Sequence, residues 1–446
     1  MDKALEIHKR LKENGFESFN VGGYVRDLFL EKKSFDIDIT TNAKPDDIFK
    51  LFPNCKQDIG TNFKISIIDD IEVATYRLDK YDYSSLNINR HNCKTEYAKN
   101  LIEDLMRRDF TINAMAENPF TGEIIDPFDG KLDIENKIIR FVGEPNKRIL
   151  EDKVRILRGC RFAAILGFNI ESKSLKEMKK FKRSFISDRS DRIRKEIKKT
   201  LSKAKKSSIF FKILNEIELL EIIFPNLYDC IDVPGGKYHD ETVFDHNMYV
   251  GDIISTNNWL VKLAGYLHDC GKPKSLIVQE DGNESFPKHH RIGSNIIEDD
   301  LLNLKFSNRE IDFITTLIRL HMRNYSSKRS IRNILIFLKE HNMNYFDWIR
   351  LFIADHNGNM KRNNLSYIEI KNIIEKFEAE LLAKIPFDLK KINVSGYDIM
   401  KVYNIQPSPK IKEIQTKLFE LILDGTLENK HEALMEFMKG NKDEIK

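Results

Sequence analysis

The chain has 446 residues, of which 41% are hydrophobic and 32% charged, and a net charge of +4. That length gives room for two to four domains with sizeable cores. It carries no apolar run of membrane-spanning length and no apolar leader, which excludes a membrane span and a secretory signal and leads to the expectation of a cytoplasmic protein.

The five cysteines, Cys55, Cys93, Cys160, Cys230 and Cys270, show no C-x-x-C spacing and read as reduced thiols, neither a disulfide frame nor a zinc ribbon. The charge is uneven. Residues 140–206 hold 22 Lys or Arg against 8 Asp or Glu, a local +14 that leaves −10 for the remainder. A basic segment in a near-neutral protein is an electrostatic footprint for nucleic acid. Charge runs are more often plain solvated helix, but this one directly follows the segment with the strongest chemical pattern.

That pattern opens the chain. A helix is expected near 2–14 and a strand near 17–21, followed by Gly22-Gly23, whose backbone N–H groups can cradle phosphate. Arg26 stands on the next helix. Phe35, Ile37 and Ile39 alternate with polar residues, predicting a strand over 35–40. Asp36 and Asp38, two apart, then share a strand face about 6.6 Å apart. Such a pair can converge on two Mg²⁺ ions about 3.5–4 Å apart. A phosphate cradle beside a carboxylate pair points to nucleotidyl transfer.

A helix is expected near 45–52, strand-like sequence over 64–76 and a helix near 108–117. Glu72, on the strand-like segment, is the candidate third carboxylate. Arg107 and Arg108, read at a helix start, are suited to a triphosphate. Asp109 and Asn113, four apart on one helix face, are candidates for ribose hydroxyls. Asp126-Pro127-Phe128-Asp129-Gly130, with Asp133 beyond, reads as structural turn chemistry. Beyond Gly143-Glu144-Pro145 the chain is almost wholly helical: a run over 148–166 stops at Gly167, a C-cap candidate, and more helices end near Pro225.

Residues 239–356 hold eight of the eleven histidines. His246, His268-Asp269 and Asp355 follow the H…HD…D pattern of HD-domain phosphohydrolases, with His289 and His321 available for a second metal and His239 for a phosphate. His and carboxylate ligands suit Mg, Mn, Ni or Co. An inert helical remnant is the plain alternative. Residues 360–446 are amphipathic, helical and without a catalytic signature.

GGYVRD, DID, RRDFTINAMA, DPFDGKLD and EDKVRILRGCRFAAILGF, in that order, resemble the class II tRNA nucleotidyltransferases: the CCA-adding enzymes, with bacterial poly(A) polymerases as close relatives. The resemblance covers about residues 18–225. It implies an α/β head of polymerase-β-like nucleotidyltransferase fold followed by all-α neck, body and tail regions; with the HD pattern added, the chain is divided as head 1–139, neck and body 140–225, HD region 226–360 and tail 361–446. It implies addition of C, C and A to tRNA 3′ ends from CTP and ATP with Mg²⁺. Asp36, Asp38 and Glu72 would be catalytic, and Gly22, Gly23, Arg26, Arg107, Arg108, Asp109, Asn113, Arg158 and Arg161 would bind nucleotide. No obligate protein partner is evident.

The family also places base selection on Asp152 and Arg155. Three apart on a helix, an Asp acceptor beside an Arg donor matches the Watson–Crick edges of both cytosine and adenine and leaves guanine and uracil unpaired. Without the resemblance, an intrahelical ion pair would be the simpler account. Glu31, Lys153 and Gly159 depart from the usual pattern without removing a catalytic group. The segment 77–108, with Arg90-His91, is longer than in CC-adding members, and Gly60-Thr61-Asn62-Phe63 looks more like CCA-adding enzymes. Full CCA addition is therefore favoured over A-adding, CC-adding or poly(A) activity. The rival from another class is an HD phosphodiesterase with an RNA-binding front end, which would not need the Asp36/Asp38 pair.

Overall fold

The computed structural model describes residues 2–32, 37–57, 65–83, 93–182, 191–236, 240–280, 282–359, 363–383, 388–423 and 426–441. The chain forms two compact units, Met1–Pro225 and Asn226–Lys446.

The first unit begins with α1 (Asp2–Glu13), whose Ala4, Ile7 and Leu11 stripe is buried. A sheet follows, built from β1 (Ser18–Val21), β2 (Asp38–Thr41), β3 (Lys56–Gln57), β4 (Ser66–Ile68), β5 (Ile71–Thr75), β8 (Ala116–Glu117) and β9 (Ile124–Ile125) in the order β3-β4-β5-β2-β1-β8-β9. β2 runs antiparallel to β1 and parallel to β5. The strand-like stretch 64–76 is two strands, because Asp69 and Asp70 turn with positive φ between β4 and β5. β6 (Arg77–Lys80) and β7 (Lys94–Tyr97) form a separate hairpin ladder. Between strands lie α2 (Gly23–Phe29) and α3 (Pro45–Leu51), close to the expected positions.

The expected helix near 108–117 is not there. The helix is α4 (Leu101–Met106), capped by the Asn100 side chain accepting from Glu103 N, and residues 111–113 make one 3₁₀ turn before β8. Phe110 explains the break. It is extended at φ −126°, ψ 148° and bridges to Phe141, and its ring is buried between Phe141 and Phe162. Burying that aromatic outweighs a helical preference of a few tenths of a kcal/mol per residue. Arg107 and Arg108 therefore follow a helix end, not a helix start.

The expected run 148–166 is likewise two helices, α6 (Pro145–Glu151) and α7 (Val154–Leu166), after α5 (Gly130–Glu135). Asp152, extended at φ −156°, sits in the break. α7 ends at Gly167 in the left-handed conformation, as expected of a C-cap. Asp126 accepts from Gly130 N and Lys131 N, and Asp133 holds Thr111 and Arg140, so the DPFDG turn is structural. α8 (Ser172–Lys180) and the helices Asp191–Lys203 and Ser208–Glu216 follow, the last two packed on α7, and the short helix Leu220–Ile223 lies near the end of the unit.

Among its described residues the second unit is helical apart from one small two-stranded ladder, Ile277–Val278 with Glu284–Ser285. Helices Val243–Ile253, Trp259–Leu267, His289–Asn303, Asn308–Leu320 and Tyr345–Gly358 pack on one another. At Gly271 a Cβ would stand 2.1 Å from His289 O and 2.5 Å from Gly293 N. Only glycine lets the His268-Asp269 turn press against the start of the helix that carries His289. Helices Gly396–Tyr403, Pro409–Leu423 and His431–Gly440 close on a separate core of Ile399, Leu418, Ile422, Leu434 and Met438.

Candidate active site and metal centre

In the first unit, strand register assembles the site. Val21 pairs with Asp38 across β1 and β2, and Asp38 pairs with Glu72 across β2 and β5. Register partners on neighbouring strands point to the same face. Gly22, with φ +75°, follows Val21 and leads into α2. A Cβ there would lie 3.1 Å from Arg108 Nη1 and 3.4 Å from Asp38 Oδ2. A side chain at 22 would fill the space where the carboxylate and the guanidinium converge. Arg108 Nε is buried and has no hydrogen-bond partner among the described residues. Arg108 Nη2 lies 3.5 Å from Asp104 Oδ2, and a guanidinium with a donor still unused beside Asp38 fits a bound phosphate chain with its divalent metal. Asp36 lies outside the described residues, as do Gly60–Phe63, Arg90-His91 and His239.

The other expected nucleotide contacts are engaged with partners inside the protein. Arg107 donates from Nε and Nη2 to Asp104 Oδ1 at 2.9 and 2.7 Å. Arg26 donates to Asn113 Oδ1 at 2.8 Å and Asp27 at 2.7–2.9 Å, with its guanidinium 5.5 Å from the Phe162 ring centre and beside Gly23. Asp109 accepts from Phe110 N, Asn113 Nδ2 and Arg158 Nε at 2.8, 3.2 and 2.7 Å. Burial alone would raise its carboxyl pKa, but the Arg158 charge and hydrogen bonds bring it to about 2. Asp109 and Asn113 do meet, across a 3₁₀ turn instead of along a helix face. Arg161 stacks 4.0 Å from the Phe162 ring centre and donates to Glu196 at 2.6 Å, both groups less than a tenth exposed.

Asp152 and Arg155 do not share a helix face. Asp152 lies in the break before α7, and Arg192 grips both its oxygens at 2.9 and 2.5 Å. Arg155 pairs with the buried Glu151 and donates to Arg148 O at 2.9 Å and Arg107 O at 3.0 Å. Glu151 also accepts from Tyr83 and Arg148. The partners Arg192, Glu196, Glu151, Asp104 and Tyr83 were not singled out from the sequence. The four-residue spacing of Arg192 and Glu196 on a basic helix was their only signal.

In the second unit, helices and turns bring together the six residues expected as metal ligands, His246, His268, Asp269, His289, His321 and Asp355. Two ring nitrogens, His246 Nε2 and His268 Nε2, lie 3.1 and 3.4 Å from Asp355 Oδ1, and 3.8 and 3.5 Å from Asp269 Oδ2. Around the other oxygen, His289 Nε2 and His321 Nε2 lie 3.3 and 3.5 Å from Asp269 Oδ1 and 3.2 Å from each other. The four rings and Asp269 are buried.

Backbone carbonyls decide the tautomers. His268, His289 and His321 each donate from Nδ1, to Gly265 O at 2.8 Å, Phe286 O at 2.8 Å and Ile318 O at 2.7 Å. In the neutral rings, Nε2 is then a lone pair. Lone pairs facing carboxylate oxygens repel unless cations lie between them. Burial lowers the His246 pKa, but Asp355 and Glu241 lift it to about 9, so the cluster draws in a proton where it lacks a metal. The groups His246/His268/Asp269, His268/His321/Asp355 and Asp269/His289/His321 each have ligand atoms within 4.8 Å of one another. Asp269 faces both halves. Lys272 Nζ, missed in the sequence, lies 2.7 Å from Asp269 Oδ2.

Three family models match the chain: a poly A polymerase head domain over residues 18–140, a probable RNA- and SrmB-binding site of polymerase A over 167–230, and a putative tRNA nucleotidyltransferase domain 2 over 291–438. A CCA-adding enzyme of Streptococcus pneumoniae is 28% identical over 447 residues, covering 99% of this chain and 97% of the relative. The chain belongs to the CCA-adding enzyme and poly(A) polymerase family. A CCA-adding enzyme of Lactobacillus helveticus is 39% identical over 185 residues, 40% of this chain and 44% of the relative.

The fold agrees with that membership. A Bacillus stearothermophilus CCA-adding enzyme crystallised with CTP superposes with a TM-score of 0.71 at 22% identity, over 99% of this chain and 98% of the other. A Thermotoga maritima CCA-adding enzyme complexed with tRNA superposes at 0.55 and 20% identity, over 98% and 94%. The family assignment makes the first unit's sheet a nucleotidyltransferase head, of a family that uses divalent metal ions. The matched segments end at 230 and resume at 291, so His246, His268, Asp269 and His289 stand on their geometry. Among the described residues no helix is long and apolar enough to cross a membrane.

Proposed function

We propose that this family member adds C, C and A to tRNA 3′ ends in the cytoplasm, using CTP, ATP and Mg²⁺. The supporting observation is the convergence of Gly22, Asp38 and Arg108, with Glu72 in register, in a chain whose CCA-adding relatives align end to end. The tRNA 3′ oxygen attacks the NTP α-phosphorus, the bond to the β-phosphate oxygen breaks, and pyrophosphate leaves. Asp36, Asp38 and Glu72 would hold the metal ions, which when bound supply charge neutralisation and a more acidic 3′ hydroxyl. Arg108, with the N–H groups at Gly22 and Gly23, receives the triphosphate. Arg26, Arg107, Asp109, Asn113, Arg158 and Arg161 form the network that keeps that wall in place and supply contacts where ligand displaces an internal bond. Asp152 and Arg155 read the base edge, and the basic helices track tRNA phosphates. The test offers single NTPs with Mg²⁺ to tRNA transcripts ending at the discriminator base, at C and at CC. Product lengths of one, two and three nucleotides separate CCA addition from CC, A or poly(A) addition. No extension of any transcript defeats the reading.

A second activity is favoured by one specific observation: the second unit brings the ring nitrogens of four buried histidines and the carboxylates of Asp269 and Asp355 into groups whose ligand atoms lie within 4.8 Å of one another. We infer two divalent cations there, one between His246, His268, Asp269 and Asp355, the other between Asp269, His289 and His321. Mg, Mn, Ni and Co all suit those ligands. Such ions supply hydroxide near neutral pH. The substrate we propose is a phosphoester such as the 2′,3′-cyclic phosphate of a damaged tRNA end: hydroxide adds to phosphorus, one ribose P–O bond breaks, and the freed oxygen takes a proton. In a chain carrying both His268→Ala and Asp269→Ala, bound metal and hydrolysis of 2′,3′-cyclic AMP should vanish while CCA addition persists. A wild-type chain that neither retains metal nor hydrolyses phosphoester with Mg²⁺, Mn²⁺, Ni²⁺ or Co²⁺ defeats the reading.

A further inference from the structure

The four histidines of the second unit are not held alike. For His268, His289 and His321, Nδ1 donates to a backbone carbonyl one helical turn back, a neutral acceptor. For His246 the group facing Nδ1 is a carboxylate oxygen, Glu241 Oε1, at 3.4 Å. The Glu241 side chain is only 6% exposed. Its placement is built by the local chain. Gly235 N donates to Glu241 O at 3.0 Å, and Pro234 bridges to Thr242. Asp240 N donates to Glu241 Oε2 at 3.1 Å, which turns Oε1 toward the ring. Thr242 then caps the helix Val243–Ile253 by accepting from Asp245 N, and the first turn of that helix presents His246. A cap and a bridge thus fix the separation between carboxylate and imidazole.

A carboxylate behind a ligand histidine differs from a carbonyl in charge. It fixes the same tautomer, with the proton on Nδ1 and the lone pair on Nε2. It also raises the electron density that the ring offers through Nε2. Of the two cation positions, only that of His246, His268, Asp269 and Asp355 has such support among the described residues. We propose that Glu241 is a positioning residue that locks His246 as an Nε2 ligand and makes the cation position at His246 the tighter of the two, so that the centre fills in order. The inference rests on the two-cation reading above and adds the asymmetry between the positions. A metal-dependent hydrolase of this design keeps its first ion while the second exchanges with the medium. Its hydrolysis then follows the free concentration of the second ion.

The full-length chain is titrated with Co²⁺, whose visible absorption reports each histidine-ligated ion as it binds. The doubly substituted His268→Ala, Asp269→Ala chain serves as the blank. Wild type should take up two equivalents above the blank in two steps of unequal affinity. Glu241→Gln keeps the shape and a neutral acceptor, and Glu241→Ala removes both. Each should weaken the first step by about 10–100-fold and leave the second in place, with Gln the milder. Thermal unfolding without added metal, together with CCA addition, checks that the variants fold, and both should match wild type. Two unchanged steps in the variants overturn the role of Glu241. Equal weakening of both steps with a lowered thermal midpoint assigns Glu241 a merely structural part and also overturns it. Wild type binding no Co²⁺ beyond the blank instead removes the two-cation centre itself.

Discussion

The two sites of this chain are prepared in opposite ways. In the first unit, the residues that would read the nucleotide are occupied with protein partners: Asp152 with Arg192, Arg155 with Glu151, Asp109 with Arg158. A ligand entering there exchanges one set of charge-assisted bonds for another, and the net gain depends on how well its base edge replaces the internal partner. In the second unit the ligand atoms already face a common space, and a second layer of backbone carbonyls and one carboxylate decides their tautomers. A cation entering there displaces a proton and shares Asp269 with the Lys272 ammonium. Exchangeable ion pairs suit a site that must accept two different bases in turn, and a preset cluster suits an ion that stays.

The contrast can be tested hardest at Asp38. Asp38→Ala should lower nucleotide addition by at least about 10³-fold, since several kcal/mol of transition-state charge stabilisation is lost, with tRNA binding largely intact by filter retention. Near wild-type extension would remove the strand carboxylate from the chemistry. Hydrolysis at the second centre should be untouched by this change.

Arg161→Ala comes next. It leaves the buried Glu196 with only the more distant Lys199, at 4.0 Å, and should destabilise the chain by about 3 kcal/mol, read as a lowered urea midpoint. A loss below about 1 kcal/mol would show that water replaces the guanidinium and that this pair is not a rigid element of the first unit.

Asp152→Ala and Arg155→Ala sharpen the exchange idea. Each lost base-edge hydrogen bond costs about 1–3 kcal/mol, so incorporation of UTP or GTP relative to CTP and ATP should rise roughly 5–150-fold while total rate falls. Unchanged selectivity in both variants would return these residues to structural ion pairing.

Asp109 provides a pH test. Its folded pKa of about 2 lies below the ordinary carboxyl value. It therefore contributes stability that is present above about pH 4 and is lost as pH falls toward about 2. The whole effect is about 2–3 kcal/mol. Asp109→Asn should flatten that acid limb of the unfolding midpoint, whereas an unchanged limb would show that Arg158 does not hold the carboxylate.

The smallest effect is at the cap of α4. Asn100→Ala should cost about 1 kcal/mol by thermal unfolding and leave both activities intact.

What the sequence determined by itself was local and periodic. Apolar spacing set α1, α2, α3 and the stop of α7 at Gly167, and alternation placed Asp38 on a strand with Ile39 buried behind it. The order of short motifs was enough to name the family, and the HD pair with its distant partners His246, His289, His321 and Asp355 was legible as a pattern. Tertiary structure alone decided the rest. The Phe110–Phe141–Phe162 cluster cut the expected helix at 108–117. The break at Asp152 separated it from the helix face of Arg155 and handed its carboxylate to Arg192, a residue 40 positions away. Glu196 acquired Arg161, 35 positions away, in the same manner. Local periodicity is written in neighbouring residues, because a backbone turn involves only the next few. Which charged group meets which is settled by the burial of aromatic and aliphatic surface from distant segments, since a buried charge must find a partner wherever packing brings one.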